Sequence, residues 1–169
     1  MFPRLLLLFS LLSLPQTSFA QESGRVGPPP PESCPVTKAA DRPFVPPWPY
    51  EPEPYPGGSW FGTNRLWTAP PADGVWRELG PYTPTSPTFR QKTQWWRQGY
   101  DYRTEPKPKL KVTGKRLDAP ALPLMAEVSN VSGSQHSMMV GMNFPTLGCW
   151  EITGHYEDDE LTFIVWLGK

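Results

Sequence analysis

The C-terminal stretch carries the clearest alternation of apolar and polar positions. After Pro145, Trp150, Ile152, Gly154 and Tyr156 share one parity, and Cys149, Glu151, Thr153 and His155 share the other. That is the two-residue period of a half-buried strand. In the run that follows, Leu161, Phe163, Val165 and Leu167 alternate with Thr162, Ile164 and Trp166. Apolar groups on both faces predict a strand in the interior of its sheet. Between the runs, Asp158 and Asp159 are short polar residues that tolerate the left-handed backbone of a hairpin turn. A lone hairpin cannot cover its apolar face, so the rest of the chain must supply further strands.

Upstream, the same pattern recurs in shorter pieces. Ser59 to Thr68 mixes Trp60, Phe61, Leu66 and Trp67 around Gly62 and Asn64, predicting one bent strand or two short ones. Val75 to Leu79 alternates after a Pro-Pro-Ala-Asp-Gly turn cluster, and Phe89 to Trp96 follows a second Pro-rich loop. In KLKVTGKRLD, Leu110, Val112 and Gly114 alternate with lysines, after which Leu124 to Val128 and His136 to Phe144 resume the pattern. Seven or eight short strands punctuated by Pro, Gly, Asn and Ser predict an all-β fold. The expected architecture is an antiparallel immunoglobulin-like β-sandwich over residues 59 to 169.

The N-terminal 58 residues follow another logic. Arg4, the apolar run Leu5 to Leu14 and the Ser18-Phe19-Ala20 site have the layout of a secretory signal over residues 1 to 20, cleaved near Ala20. Ten apolar residues are too few to span a bilayer, which needs about 20. The mature chain is therefore expected to lack a transmembrane segment and to be periplasmic or secreted. Residues 21 to 58 form a Pro-rich arm, with 12 of the 24 prolines between Gly27 and Pro56. Proline lacks an amide hydrogen and fixes φ, which disfavours helix and sheet alike. Phe44, Trp48, Tyr50 and Tyr55 are more aromatics than disordered segments usually carry, so from Cys34 onward the arm reads as a strap along the body.

Charge narrows the partners. Without Arg4 the chain holds 15 basic and 16 acidic residues, a net charge of −1, which gives no electrostatic footprint for nucleic acid. The two cysteines, Cys34 and Cys149, predict one disulfide in an exported chain. That bridge would pin the arm to the hairpin.

Eight tryptophans are the feature of the composition least explained by the fold alone. Trp67, Trp150 and Trp166 sit inside regular strands and are expected in the core. Trp48, Trp60 and Trp95 are the candidates for an exposed aromatic binding surface.

Catalytic chemistry is sparse. His136 and His155 are the only histidines, and no Gly-x-Ser-x-Gly elbow occurs. Cys149 and His155 on one extended strand would lie about 20 Å apart, too far to share a proton. Asp101, Asp118, Glu127 and Glu151 could serve a hydrolase only if folding paired them across a cleft. The run Glu157-Asp158-Asp159-Glu160 could attract calcium but lacks the spacing of a dedicated loop. The sharpest chemical alternative is a copper site. In HSMMVGM, strand parity puts His136, Met138 and Met142 on one face, and imidazole with thioethers suits Cu(I).

Four motifs stand out: WFGTNRLWTAPPADGVW (Trp60 to Trp76), WWRQGYD (Trp95 to Asp101), VTGKRLDAPALPL (Val112 to Leu124) and PTLGCWEITG (Pro145 to Gly154). With them the chain resembles a group of uncharacterised exported bacterial proteins. The resemblance implies export and a compact β domain, and transfers no catalytic residue. The expected role is a non-enzymatic binding or structural module that needs no cofactor and meets a protein or cell-envelope component. The alternatives are a periplasmic copper-binding protein and a secreted hydrolase.

Overall fold

A computed structural model of the chain describes residues 29–40, 43–77, 79–81, 83–131 and 136–168. The stretch expected to be a signal sequence, with its expected cleavage near Ala20, and the arm up to residue 28 lie outside the described residues. Among the described residues nine strands are formed: β1 (Phe61–Thr63), β2 (Leu66–Thr68), β3 (Val75–Trp76), β4 (Phe89–Trp96), β5 (Lys111–Arg116), β6 (Met125–Asn130), β7 (Met138–Phe144), β8 (Gly148–Tyr156) and β9 (Asp159–Leu167). The segment 59 to 68 resolves into a hairpin of two short strands, which raises the count above the expected seven or eight.

The strands make two layers, a five-stranded sheet in the order β1-β2-β4-β7-β6 and a four-stranded sheet in the order β3-β9-β8-β5. This is a β-sandwich. All pairings are antiparallel except β3 with β9, which is parallel and only two residues long. β9 lies between β3 and β8, the interior position that its two apolar faces predicted. The positive φ of the hairpin turn falls on Glu157, at 54°. Asp159 already belongs to β9 and pairs with Tyr156, so the turn sits one residue earlier than expected.

The core fills the space between the layers. β8 contributes Trp150, Ile152 and Tyr156, and β9 contributes Phe163, Val165 and Leu167. From the opposite sheet come Trp95 of β4 and Met138, Val140, Met142 and Phe144 of β7. Gly154 lets the layers close, because a Cβ there would stand 2.4 Å from the Trp95 ring. Trp166 departs from expectation: it pairs across the ladder with Cys149 on the outer face and is half-buried rather than core.

The arm wraps this sandwich from one face to the other. It starts on the outer face of the four-stranded sheet, where Cys34 and Cys149 are bonded with Cα atoms 5.6 Å apart. Thr37 then takes a strand-like place beside β9. Its amide donates to the Ile164 carbonyl at 2.8 Å, and its hydroxyl accepts from the Ile164 amide at 2.9 Å. β3 is too short to reach that far along β9, so the arm extends the sheet edge. The chain passes Gly74, where φ is 73° and any side chain would strike Thr37 and Val36. Only glycine combines that backbone with so close an approach.

The arm ends over the outer face of the five-stranded sheet. There Phe44 and Tyr50 close on Trp67, with ring centroids 5.6 and 4.8 Å away. Trp67 joins Trp60 and Ala69 in a second, smaller apolar cluster beneath this part of the arm.

Candidate functional site

The aromatic surface expected at Trp48, Trp60 and Trp95 is divided by the fold. Trp95 is fully buried at 0 % exposure. Its ring lies in the core beside Phe163, with centroids 5.9 Å apart, and its indole N–H donates to the Thr93 hydroxyl at 3.0 Å. Trp60 is 8 % exposed. It packs edge-on against Trp96 at 5.0 Å and donates to the Pro52 carbonyl of the arm at 3.1 Å. Both are corrections, with one cause: opposing layers cover these rings, the second sheet in one case and the arm in the other. Trp48 alone of the three faces solvent, at 91 %.

The exposure of Trp48 is imposed by its neighbours. Tyr50, two residues on, donates its hydroxyl to the Arg97 carbonyl at 2.8 Å and accepts from the Gly99 amide at 3.1 Å. Its amide donates to the Pro47 carbonyl at 3.0 Å, closing a turn around Trp48. Upstream, Pro46 is buried and Phe44 is seated on Trp67. With anchors on both sides, Trp48 is held at the crest of a fixed loop. Val45 and Tyr55 are also exposed on this arm, and the Tyr55 hydroxyl is tied to the Ala69 carbonyl at 2.8 Å.

The copper grouping of His136, Met138 and Met142 is not assembled. Met138 and Met142 are fully buried members of the core, so their thioethers pack against hydrocarbon. His136 lies before β7 begins, is exposed, and directs Nδ1 to the Tyr100 carbonyl at 3.2 Å. Among the described residues, no group of three or more His, Cys, Asp or Glu side chains converges on a possible metal position.

The candidate carboxylates are dispersed and engaged. Asp118 binds Arg116 at 2.7 Å and accepts from the Cys149 amide at 3.2 Å. The Arg116 hydrogen bond is the main reason its carboxyl is held below the usual range. Glu151 pairs with Lys115 at 2.9 Å, Asp101 accepts from the Arg103 amide in a turn, and Glu127 is exposed on β6. In the acidic turn, Asp159 is bound by Arg65, Glu160 faces His155, and Glu157 meets Lys109. Three of its four carboxylates thus already have a basic partner.

One constellation had no counterpart in the sequence pattern. At the end of the sandwich near the β8–β9 turn, the Tyr156 hydroxyl donates to Glu105, and the Tyr100 hydroxyl donates to Asn130. The Arg97 guanidinium stacks over the Tyr156 ring at 4.5 Å and reaches Glu157 at 3.7 Å. Glu105 comes from a loop 51 residues away from Tyr156, with no periodicity to announce the contact. Burial first, then the neighbouring Glu105 carboxylate, pushes both phenols up to about 12.

An unfolded tyrosine loses its proton near pH 10, whereas these two hold theirs to about 12, so the stability this pair contributes is fully present below pH 10 and is lost between 10 and 12. Burial also raises Tyr50 and Tyr55, so ultraviolet titration of the six tyrosines should show several ionising after an exposed phenol, with Tyr100 and Tyr156 not complete until about pH 12. If all six ionised together near pH 10 while the protein stayed folded, this network would not exist. The described residues contain no helix long and apolar enough to cross a membrane. Compared with known proteins, the chain matches no family model and no curated sequence.

Proposed function

We propose that this chain is an exported binding or structural module of the cell envelope, acting by recognition rather than catalysis. The carrying observation is Trp48, 91 % exposed on a loop anchored on both sides. A tryptophan can bury 150–250 Å², which at the usual coefficient is roughly 4–6 kcal/mol of apolar transfer energy. Holding that ring in water on a fixed support spares a partner the cost of ordering it. The Cys34–Cys149 pair supports the export half of the reading, since disulfides persist mainly in oxidising compartments.

Fractionation of host cells followed by a binding assay tests both halves. The protein is expected outside the cytoplasm with both cysteines oxidised, and purified protein is expected to sediment with isolated envelope. Trp48→Ala is expected to weaken that association about 30-fold, the size of a hot-spot loss near 2 kcal/mol, with Tm unchanged. Recovery in the cytoplasm would defeat the export assignment. Unchanged association of Trp48→Ala would defeat the role given to Trp48.

A further inference from the structure

The five-stranded sheet has a gap in the middle of one edge. β2 pairs with β4 only at Trp67 with Trp96 and at Thr68 with Trp95. Beyond Thr68 the chain turns away through Ala69, Pro70 and Pro71, where the Pro70 carbonyl accepts from Ser59 and Pro71 bridges to Gly58. At the far end of β4, Pro81 bridges to Phe89. Between these points, among the described residues, β4 has a strand partner on one side only, β7.

We propose that this gap is a docking slot for an extended peptide, which adds as a short strand beside Gln91 to Gln94. A cavity of about 550 Å³ occupies it, within the range of natural ligand sites. Tyr55, Pro56 and Gly57 of the arm form its far wall, and Trp76 and Trp96 flank it. The wall makes this a slot rather than an open edge, so a second copy of the sandwich has no room to pair there.

The backbone chemistry selects a strand. In an antiparallel ladder alternate residues turn their N–H and C=O to a given edge. The Thr68 hydroxyl, arriving from β2, donates to the Gln94 carbonyl at 2.8 Å, so Gln94, and with it Lys92, faces the gap. The Lys92 amide donates to the side-chain oxygen of its neighbour Gln91 at 2.9 Å. Gln91 thus stands where the carbonyl of an added strand would be, and swings aside when one arrives. Natural edges are commonly guarded by lysine, and Lys92 is exposed here. Peptides that add to sheet edges take affinity from main-chain bonds and selectivity from alternate side chains. Inward positions of the added strand meet Trp76 and Thr93, which favours an apolar residue. Outward positions pass Lys92, Gln94, Trp96 and Met139. Among the described residues Lys92 has no ion-pair partner, which favours a carboxylate.

The test uses the intact, oxidised protein and a mixture of capped hexapeptides with alternating apolar and glutamate positions. Saturable binding is expected, read by tryptophan fluorescence, with slowed amide exchange at Lys92 and Gln94. Backbone N-methylation at alternate positions is expected to weaken binding at least ~10-fold by removing two main-chain bonds. Exchanging glutamate for lysine in the peptides is expected to weaken it, and Lys92→Glu to reverse that preference. Gln91→Ala is expected to tighten binding, since it removes the stand-in acceptor; a merely structural glutamine would give no gain. Trp48→Ala is expected to leave this binding intact, which separates the slot from the arm. Absence of saturable binding, equal binding of N-methylated peptides, or protection confined to the arm or to β1 would overturn the proposal.

Discussion

Removing the Cys34–Cys149 bridge is expected to lower the unfolding free energy by about 5 kcal/mol. The two cysteines are 115 residues apart, and in the chain-entropy model a loop of that length restricts the unfolded ensemble by this amount. The folded side of the balance points the same way. The bridge fixes the start of the arm, and the next anchor is the Thr37 pairing with Ile164. Phe44 and Tyr50 reach Trp67 only after the chain has turned the sheet edge. Without the bridge each downstream contact must hold an unrestrained arm against its conformational entropy. A Cys34→Ser/Cys149→Ser double variant should therefore melt about 10–20 °C lower by calorimetry. Its tryptophan emission should shift red as the cover over Trp67 loosens. Both cysteines are nearly inaccessible, at 4 % and 0 % exposure, so reductant should act on the native protein only slowly. A stability loss under about 1 kcal/mol would mean that the bridge adds little to the other anchors.

What the sequence made legible follows from where the information lies. Parity within one strand is local, and it placed Trp150, Ile152, Gly154 and Tyr156 on the core face of β8 and gave β9 its interior position. The methionines show how parity can be misread. The alternation that grouped Met138 with Met142 also grouped them with Val140 and Phe144, and that company marks a core face rather than a metal face. His136 precedes the strand, so parity did not extend to it. Adjacent tryptophans were ambiguous for a different reason. Either member of the Trp95-Trp96 pair can point inward, and the choice depends on a sheet formed by residues far along the chain. Trp60 required knowing that the Pro52 carbonyl would return to its indole. The Glu105 contact to Tyr156 and the gap beside β4 arise from loops folding over distant strands. Such contacts leave no periodic trace.

The packing of Trp95 against Gly154 carries the second large effect. These residues come from opposite sheets, β4 and β8, and the ring occupies the space where a side chain at 154 would be. A Cβ at that position would stand 2.4 and 2.7 Å from two ring carbons. The ring has little freedom to retreat, since its N–H is bonded to Thr93 and Phe163 lies alongside. Gly154→Ala is therefore expected to cost about 3 kcal/mol, the upper end of ordinary overpacking. Trp95→Ala should cost about 3–5 kcal/mol as a large-to-small core substitution. The two losses should not add. Once the indole is gone, the alanine methyl at 154 enters vacated space, so the double variant should be about 1–3 kcal/mol more stable than the sum of the singles implies. Urea denaturation of the four proteins measures the coupling. Additivity within about 0.5 kcal/mol would mean that the two sheets do not meet at this point. A coupling of the expected size would confirm that the two layers meet at Trp95 and Gly154 and fix Trp95 as a core residue rather than a binding surface.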